Sequence, residues 1–181
     1  MSAPRAPEAL TTARLRLRRP HAADADAIFS RYASDPEVTR LVGWPRHERV
    51  DDSRAFLRHS DEEWARAPAG AYLVESRETG ELLGSTGFLF EAPYRAMTGF
   101  VLARDAWGRG YATEALGAMV ETARLMAVRR LYALCHHEHR ASAHVLEKCG
   151  FSLEGRLRAY AEFPNHKPAE PQDVLRYAIL L

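Results

Sequence analysis

The segment Trp107–Leu116 constrains the fold of this chain more than any other part of its sequence. It sets two glycines, Gly108 and Gly110, between an apolar, β-prone run at 99–102 and a stretch with helical periodicity. That order predicts a strand, a tight turn and a helix start, where backbone N–H groups lack intrahelical partners. Such a helix N-terminus binds phosphate without a lysine, because the helix dipole adds roughly half a positive charge there.

The spacing of the glycines excludes two common nucleotide-binding motifs. No Gly-Lys-Ser/Thr follows the loop, as a P-loop requires, and Gly108, Gly110 and Ala112 do not complete a Gly-x-Gly-x-x-Gly fingerprint. The loop also lies in the middle of the chain, whereas a dinucleotide loop normally follows the first strand. Taken alone, the pattern also fits an ordinary glycine turn between a strand and a helix.

Composition narrows the class of protein. The chain has 181 residues, enough for one domain with a substantial core, and we expect a flexible segment at 1–10 and a domain at 11–181. Its 25 basic and 24 acidic residues argue against a nucleic-acid or membrane partner. No apolar run approaches the ~20 residues that span a bilayer. Two cysteines do not make a disulfide framework, so we expect a cytoplasmic protein.

Hydrophobic periodicity predicts a mixed α and β chain. Alternating or apolar runs bounded by turn residues predict strands at 14–19, 71–76, 82–90, 97–102, 130–135, 151–160 and 172–180. Helical spacing predicts helices at 24–32, 50–67, 113–128 and 141–148.

A second pattern follows the glycine loop. The stretch from His139 to Phe151 begins with a polar residue, continues with small residues at helical spacing, and ends in Gly150-Phe151. With the glycine loop, it makes the chain resemble the GNAT superfamily of acyl-CoA N-acyltransferases, and within it the RimJ/RimL branch of ribosomal-protein N-terminal acetyltransferases. The resemblance covers nearly the whole chain. Its motifs lie at 12–19, 99–102, 107–116, 146–151 and 154–155.

The resemblance implies an α/β (α+β) fold in a single GNAT domain. Its sheet would be mixed and largely antiparallel, with splayed central strands and about four flanking helices. Acetyl-CoA would be the co-substrate and would lie between the splayed strands. The residues that match the family's cofactor-binding positions are Phe100, Val101, Leu102, Gly108, Arg109, Gly110, Tyr111, Ala112, Thr113, His139 and Ser142. Arg109 fits equally well a phosphate contact or a solvated loop residue.

Several positions depart from the pattern of the superfamily. Leu146 stands where many members have a tyrosine general acid, and it cannot transfer a proton. The RimJ/RimL branch uses a serine one helical turn earlier, so Ser142 is expected to protonate the departing thiolate. His139 replaces the usual asparagine, although imidazole can also donate or accept a hydrogen bond. Trp107 matches the same branch and is expected to pack within its loop.

The general base is less clear from the sequence. Residues 97 and 98 provide no carboxylate where many relatives have one, so Glu75 and Glu91 are candidates to act through a water, or are simply surface charges. At pH 7 an α-amine is about 15% neutral and a lysine only about 0.04% neutral. Weak base machinery therefore favours an α-amine acceptor, such as a protein or peptide N-terminus, or another amine of low pKa, over a lysine.

The cysteines and histidines invite two rival interpretations. Cys135, His137 and His139 would share one face if their strand continued, with His136 and His144 nearby, and zinc accepts these ligand types. No paired Cys-x-x-Cys or His-x-x-x-His spacing accompanies them, so we expect no metal.

Cys149 could carry the acyl group, but it precedes Gly150 at a helix end, so direct attack by the amine is the preferred mechanism.

The first half of the chain is expected to form the acceptor site. Tyr32 and Trp44 are the predicted substrate-binding residues, the latter in a Gly-Trp-Pro loop. The predicted function is transfer of acetyl to a primary amine, first of all an N-terminal α-amine. The alternatives are a small-molecule amine acetyltransferase and a non-catalytic acyl-CoA-binding module. No dimerisation motif is evident, so a monomer or a homodimer is expected.

Overall fold

The structure, a computed structural model, describes residues 4–166 and 170–181. Over these residues the chain forms eight strands and five α-helices. The strands are β1 (Ala9–Thr11), β2 (Leu15–Arg18), β3 (Ala71–Ser76), β4 (Leu82–Ala92), β5 (Arg95–Leu102), β6 (Arg130–His136), β7 (Ser152–Ala161) and β8 (Gln172–Leu180). The helices are α1 (Ala25–Ile28), α2 (Pro36–Thr39), α3 (Val50–Arg66), α4 (Tyr111–Leu125) and α5 (Arg140–Lys148).

The strands form one mixed sheet in the order β1-β2-β3-β4-β5-β6-β8-β7. Neighbouring strands run antiparallel except at the centre, where β5 and β6 are parallel. The helix α4 connects these two parallel strands, as a parallel pair requires. The expected mixed, largely antiparallel sheet is confirmed.

The two central strands separate along their length. They pair only at their beginnings, where Arg95 to Met97 face Arg130 to Tyr132. From there β5 continues to Leu102 and β6 to His136, without further pairing between them in the described residues. The result is a wedge-shaped gap in the middle of the sheet, as the splayed strands of the expected fold require.

Helices cover both faces of the sheet. Successive side chains of a strand point to opposite faces, and on β3 Leu73 belongs to one hydrophobic cluster while Tyr72 and Val74 belong to the other. The first cluster includes Ile28 of α1 and Leu57 of α3. The second contains the buried side of α4 and Leu146 of α5. The gap between β5 and β6 therefore lies between two packed layers.

Every predicted strand and helix is present; β3 and β8 have the predicted bounds and the other elements have shifted ends. Helix α4 begins at Tyr111 because Gly110 takes the N-cap position, and it ends at Leu125, shortly before Ala127 adopts a φ of 57°. Two elements, β1 and α2, were not predicted, because each spans at most four residues and shows no periodicity. Strand β1 crosses the domain boundary that the sequence placed after residue 10.

Helix α1 also differs from an ordinary helix. It continues into a wider π-helical turn over Phe29–Ala33, which places Tyr32 in the buried layer. Among the residues described, no helix has both the length and the apolar character that a membrane crossing demands.

Candidate active site

The gap between β5 and β6 opens into a cleft of about 690 Å³. Four parts of the chain form its walls: the end of β5, the glycine loop with the first turn of α4, the first turn of α5, and the segment from α2 to residue 42. The predicted residues that line it are Phe100, Val101, Leu102, Gly108, Gly110, Tyr111, Ala112, Thr113, His139 and Ser142. The structure therefore brings together all the predicted cofactor-binding residues except Arg109.

The glycine loop presents an uncapped helix N-terminus to this cleft. Gly108 and Gly110 have φ values of 70° and 78°, the left-handed region that glycine adopts without strain. Gly110 is the N-cap of α4, and no side chain of residues 4–166 or 170–181 caps the helix there. The N–H of Glu114 donates a hydrogen bond to the carbonyl of Gly110 at 3.1 Å, which closes the first turn of the helix. The amides of 111–113 are thus free to bind an anion.

Arg14 and Glu114 brace the loop from the side of β2. The carboxylate of Glu114 accepts hydrogen bonds from Thr12 Oγ1 at 2.5 Å and from the backbone N–H of Arg14 at 2.7 Å. The guanidinium of Arg14 donates to Glu114 and, at 2.9 Å, to the carbonyl of Arg109. It also lies 4.6 Å from the ring centre of Tyr111. Sequence analysis missed this brace, because its partners come from opposite halves of the chain.

We expect Arg14→Ala to loosen the glycine loop. Exposed charge pairs contribute about 1 kcal/mol or less, so the dissociation constant for CoA should rise about three- to fivefold. Calorimetric titration with CoA measures this change. Arg16→Ala is the matched control, because Arg16 is an exposed arginine of the adjoining β2 whose charged partner among the described residues is Glu75, at 3.8 Å. Equal effects of the two substitutions would contradict the bracing role.

The end of β5 turns selected main-chain groups toward the gap. The N–H of Ala103 donates to the carbonyl of Leu83 at 2.8 Å. Because an antiparallel ladder alternates, Val101 bonds toward β4, while the main-chain groups of Phe100 and Leu102 face the gap. The indole of Trp107 donates to the carbonyl of Leu102 at 2.8 Å. Trp107 packs within its loop as expected, although it remains 48% exposed.

His139 and Ser142 stand at the start of α5. His139 is the N-cap residue, and its Nδ1 accepts the backbone N–H of Ser142 at 3.2 Å. Burial, with a smaller contribution from the charge of Arg40, lowers the pKa of His139, so its ring is neutral at pH 7. With Nδ1 accepting, the ring proton lies on Nε2 and is free to donate. His139 can therefore do what an asparagine amide would do at this place.

The lowered pKa of His139 predicts a pH dependence of stability. The unfolded chain binds the proton more readily than the folded chain, so stability falls as pH drops through and below about 6.5. The variant His139→Asn keeps an N-cap acceptor. When the pH is lowered from 7.5 to 5.5, we expect the free energy of unfolding to fall less in this variant than in the parent. Urea unfolding at the two pH values measures the difference. Identical losses would show that His139 is not responsible.

The two predicted general bases lie outside the cleft. Glu75 on β3 is held by Arg18 at 2.7 Å, and Arg18 also binds Asp24 at 2.7 Å. Glu91 accepts a hydrogen bond from Tyr132 and pairs with Arg95 at 2.7 Å. The bond from Tyr132 is the main reason that the pKa of Glu91 is lowered, which weakens it as a base.

The position of Glu91 on the sheet explains its distance from the cleft. It lies beside the start of β5, because Ala92 pairs with Arg95. Phe100 is about 16 Å farther along that strand at ~3.3 Å per residue. The carboxylates that do line the cleft are those of Glu37 and Glu138.

The cysteines and the predicted histidine cluster do not assemble into a site. Burial raises the pKa of the Cys135 thiol to about 11 and also raises that of Cys149, so neither is a ready nucleophile. Strand β6 ends at His136, and the alternation that would align the predicted group stops there. His137 Nδ1 faces the carbonyl of Asp173 at 3.2 Å, and His139 caps α5.

A second pocket of about 570 Å³ lies between α1, α3 and the sheet. Both predicted acceptor residues, Tyr32 and Trp44, line it. So does Ser85 of β4, whose partner on β5 is Val101 in the wall of the first cleft. The loop after α2 lines the first cleft up to residue 42 and the second pocket from Trp44. One loop and one strand pair thus separate the two spaces.

This arrangement has the parts that a group transfer between two substrates requires. A free helix N-terminus can hold a diphosphate, and an opened strand edge can hold an extended amide-bearing arm. A hydroxyl, that of Ser142, stands in the same cleft. A neighbouring pocket can hold a second reactant, so that the two meet by positioning.

Comparison with known proteins agrees with this geometry. A family model for the acetyltransferase (GNAT) domain matches residues 14–152. An uncharacterised N-acetyltransferase of Bacillus licheniformis, p20, is 31% identical over 156 residues, which cover 84% of this chain and 87% of that protein.

Solved structures share the whole fold. A GNAT-family acetyltransferase of Bacillus anthracis superposes with a TM-score of 0.83 at 25% identity, covering 95% of this chain and 98% of that one. RimL, a ribosomal L7/L12 α-N-protein acetyltransferase solved with coenzyme A, superposes with a TM-score of 0.84 at 22% identity, covering 96% and 98%. The chain belongs to the GNAT family and is an acyl-CoA-dependent acetyltransferase.

Proposed function

We propose that this enzyme moves the acetyl group of acetyl-CoA to a primary amine, and that its first-choice acceptor is the N-terminal α-amine of a protein or peptide. The observation that carries the proposal is the uncapped N-terminus of α4, held open by Gly108 and Gly110 at the mouth of the gap between β5 and β6. A diphosphate and an extended arm fit that combination of donors.

The donor is held mainly by backbone groups. The amides of 111–113 bind the diphosphate, assisted by the dipole of α4. The N–H and carbonyl of Phe100 and the N–H of Leu102 bind the amides of the pantetheine arm. The carbonyl of Leu102 does not take part, because it already accepts a hydrogen bond from the indole of Trp107. The Nε2–H of His139 adds a side-chain donor from the opposite wall. This places the thioester deep in the gap, near Ser142.

Transfer proceeds by direct attack. The neutral amine nitrogen forms a bond to the thioester carbon and gives its proton to water. The carbon–sulfur bond then breaks, and the thiolate takes a proton from the Ser142 hydroxyl, which is restored from water. Burial raises the pKa of both cysteines, which favours this route over an acyl-cysteine. Most of the rate enhancement comes from positioning of the two reactants.

The weak base machinery supports an α-amine acceptor. Glu75 and Glu91 are both bound to arginines and line neither space. The carboxylates that do line the two spaces are exposed, as in Glu37, Glu48 and Glu138, or accept backbone N–H groups, as in Asp52, so water is the proposed proton acceptor. At pH 7 an α-amine is about 15% neutral, whereas a lysine is about 0.04% neutral. RimL, which shares the fold, is an α-N-protein acetyltransferase, so its acceptor belongs to the class that we propose here.

An acceptor panel tests the proposal. The assay measures the free CoA thiol that is released with each acceptor. The acceptors are peptides with a free N-terminus, N-terminally blocked peptides that contain lysine, and small amines (amino sugars, amino acids and polyamines). We expect the free N-termini to give the highest kcat/KM. Faster turnover on blocked lysine peptides would overturn the α-amine assignment, and CoA binding without turnover on any amine would indicate a non-catalytic module.

One observation favours a second function, acetylation of a small-molecule amine. The pocket behind Tyr32 and Trp44, at about 570 Å³, falls within the ~300–1,000 Å³ range of small-molecule sites. A preference for one small amine over all peptides in the same panel would select this alternative.

A further inference from the structure

Three potential metal ligands converge beside the cleft, at the end of β6, and one of them, Glu138, also lines the cleft. They are His136, Glu138 and His166, and one ligating atom from each lies within 4.8 Å of those of the other two. His136 closes β6, Glu138 follows it in the turn before α5, and His166 comes from the connection between β7 and β8. The imidazole rings of His136 and His166 are 5.3 Å apart, centre to centre.

Two of the nitrogens in this group are buried without a partner. His136 is only 1% exposed, and neither its Nε2 nor the Nδ1 of His166 has a hydrogen-bond partner among the described residues. Leaving a buried polar atom unsatisfied costs about 1–3 kcal/mol, so such atoms are rare in folded proteins. Both of these atoms belong to the same group of three potential ligands, which therefore calls for a further partner.

We propose that His136, Glu138 and His166 form a binding site for a divalent transition metal, with Zn²⁺ as the ion that fits best. Two imidazoles and one carboxylate form a ligand set that zinc accepts, with a water in the fourth, tetrahedral position. Metal–ligand distances of about 2.0–2.1 Å put neighbouring ligands roughly 3.4 Å apart. The group therefore has to contract, and the exposed side chain of Glu138 has the freedom to do so.

Binding also changes the proton arrangement of His136. In the metal-free chain its Nδ1 accepts the N–H of Glu138 at 3.1 Å, which places the ring proton on Nε2. Coordination through Nε2 moves that proton to Nδ1 and gives up this contact.

A metal bound at this site would restrain one wall of the acceptor pocket. Next to His166, the amide of Asn165 donates to the carbonyls of Thr39 and Trp44, each at 2.8 Å. It also accepts the backbone N–H of Arg46 at 2.8 Å. A metal that joins His166 to β6 would therefore fix the loop that separates the two spaces.

The proposal revises the expectation drawn from sequence. The histidines that the sequence grouped, His137 and His139 among them, have other partners. Of that group only His136 belongs to the site, and His166 is too distant along the chain to form a spacing motif. Metal binding is measured without the proposed donor or acceptor, so its failure is distinguishable from a failure of the proposed function.

Metal binding is measured directly on the untagged full chain after treatment with a chelator. Equilibrium dialysis against Zn²⁺, followed by elemental analysis, gives the stoichiometry and affinity, and Co²⁺ absorption reports tetrahedral geometry. The test variants are His166→Ala and Glu138→Gln. His59→Ala is the control, because it removes an exposed histidine of α3 that is outside the group.

We expect one Zn²⁺ per chain for the parent and for His59→Ala, with at least a tenfold loss of affinity in each test variant. Zinc should raise the thermal midpoint of the parent and not that of His166→Ala. Substoichiometric zinc in the parent, or unchanged affinity in Glu138→Gln, would overturn the site. Far-UV circular dichroism of each variant separates loss of binding from loss of folding.

Discussion

Replacing Thr113 with glutamate is expected to weaken CoA binding by roughly 10²- to 10³-fold without destabilising the protein. Thr113 lines the cleft in the first turn of α4, where no side chain caps the helix. A carboxylate there stabilises the helix through its dipole, by a few tenths of a kcal/mol. The same carboxylate would lie near the donor's diphosphate, and two charges ~4–5 Å apart at an effective dielectric of ~20 repel by about 3–4 kcal/mol.

Thr113→Gln provides the matched control, because it has nearly the same shape without the charge. Calorimetric titration with CoA at two salt concentrations should show a large loss for the glutamate variant, reduced by added salt, and a small loss for the glutamine variant. Thermal midpoints of both should stay close to the parent's. Unchanged CoA affinity in Thr113→Glu would mean that the diphosphate binds elsewhere, and the proposed donor site would have to be abandoned.

Replacing Ser142 with alanine is expected to lower kcat by about 10²-fold, a typical contribution of a positioned proton donor. The variant loses the hydroxyl that is proposed to protonate the departing thiolate but keeps the backbone N–H that donates to His139 Nδ1. The start of α5 should therefore stay intact. Steady-state kinetics with the best acceptor from the panel, together with the dissociation constant for CoA, measures the two effects separately.

A fall in kcat with unchanged CoA affinity is the expected pattern for Ser142→Ala. Ser152→Ala is the control, because Ser152 is an exposed residue at the start of β7. A kcat that stays within twofold of the parent would show that water protonates the thiolate. A large loss of CoA affinity would instead assign Ser142 to binding.

The parts of the fold that sequence could predict are those governed by local rules. The glycine loop depends on backbone angles that glycine alone adopts easily, so Gly108 and Gly110 indicated the turn and the start of α4. Alternation and helical spacing likewise gave β3 and α3, whose predicted bounds differ from the observed ones by at most a residue. Long elements with one buried face carry a strong periodic signal.

The parts that sequence could not predict depend on contacts between distant segments. The brace between Arg14 and Glu114, and the approach of His166 to His136, are set by the order of strands in the sheet. For the same reason Glu75 and Glu91 were plausible bases by position in the chain, yet their side chains are bound to arginines. Strand β1 and helix α2 are too short to show a period.

The short pairing of β5 with β6 separates the two kinds of recognition in this enzyme. Beyond Met97 and Tyr132 the facing strand edges offer peptide groups, which every amino acid except proline supplies in the same form. Retention of the acyl donor therefore tolerates sequence drift along these edges, provided that the strands keep their course. The proposed acceptor pocket is instead lined by side chains, among them those of Tyr32 and Trp44, so under the proposed function acceptor choice is free to evolve while the donor stays the same.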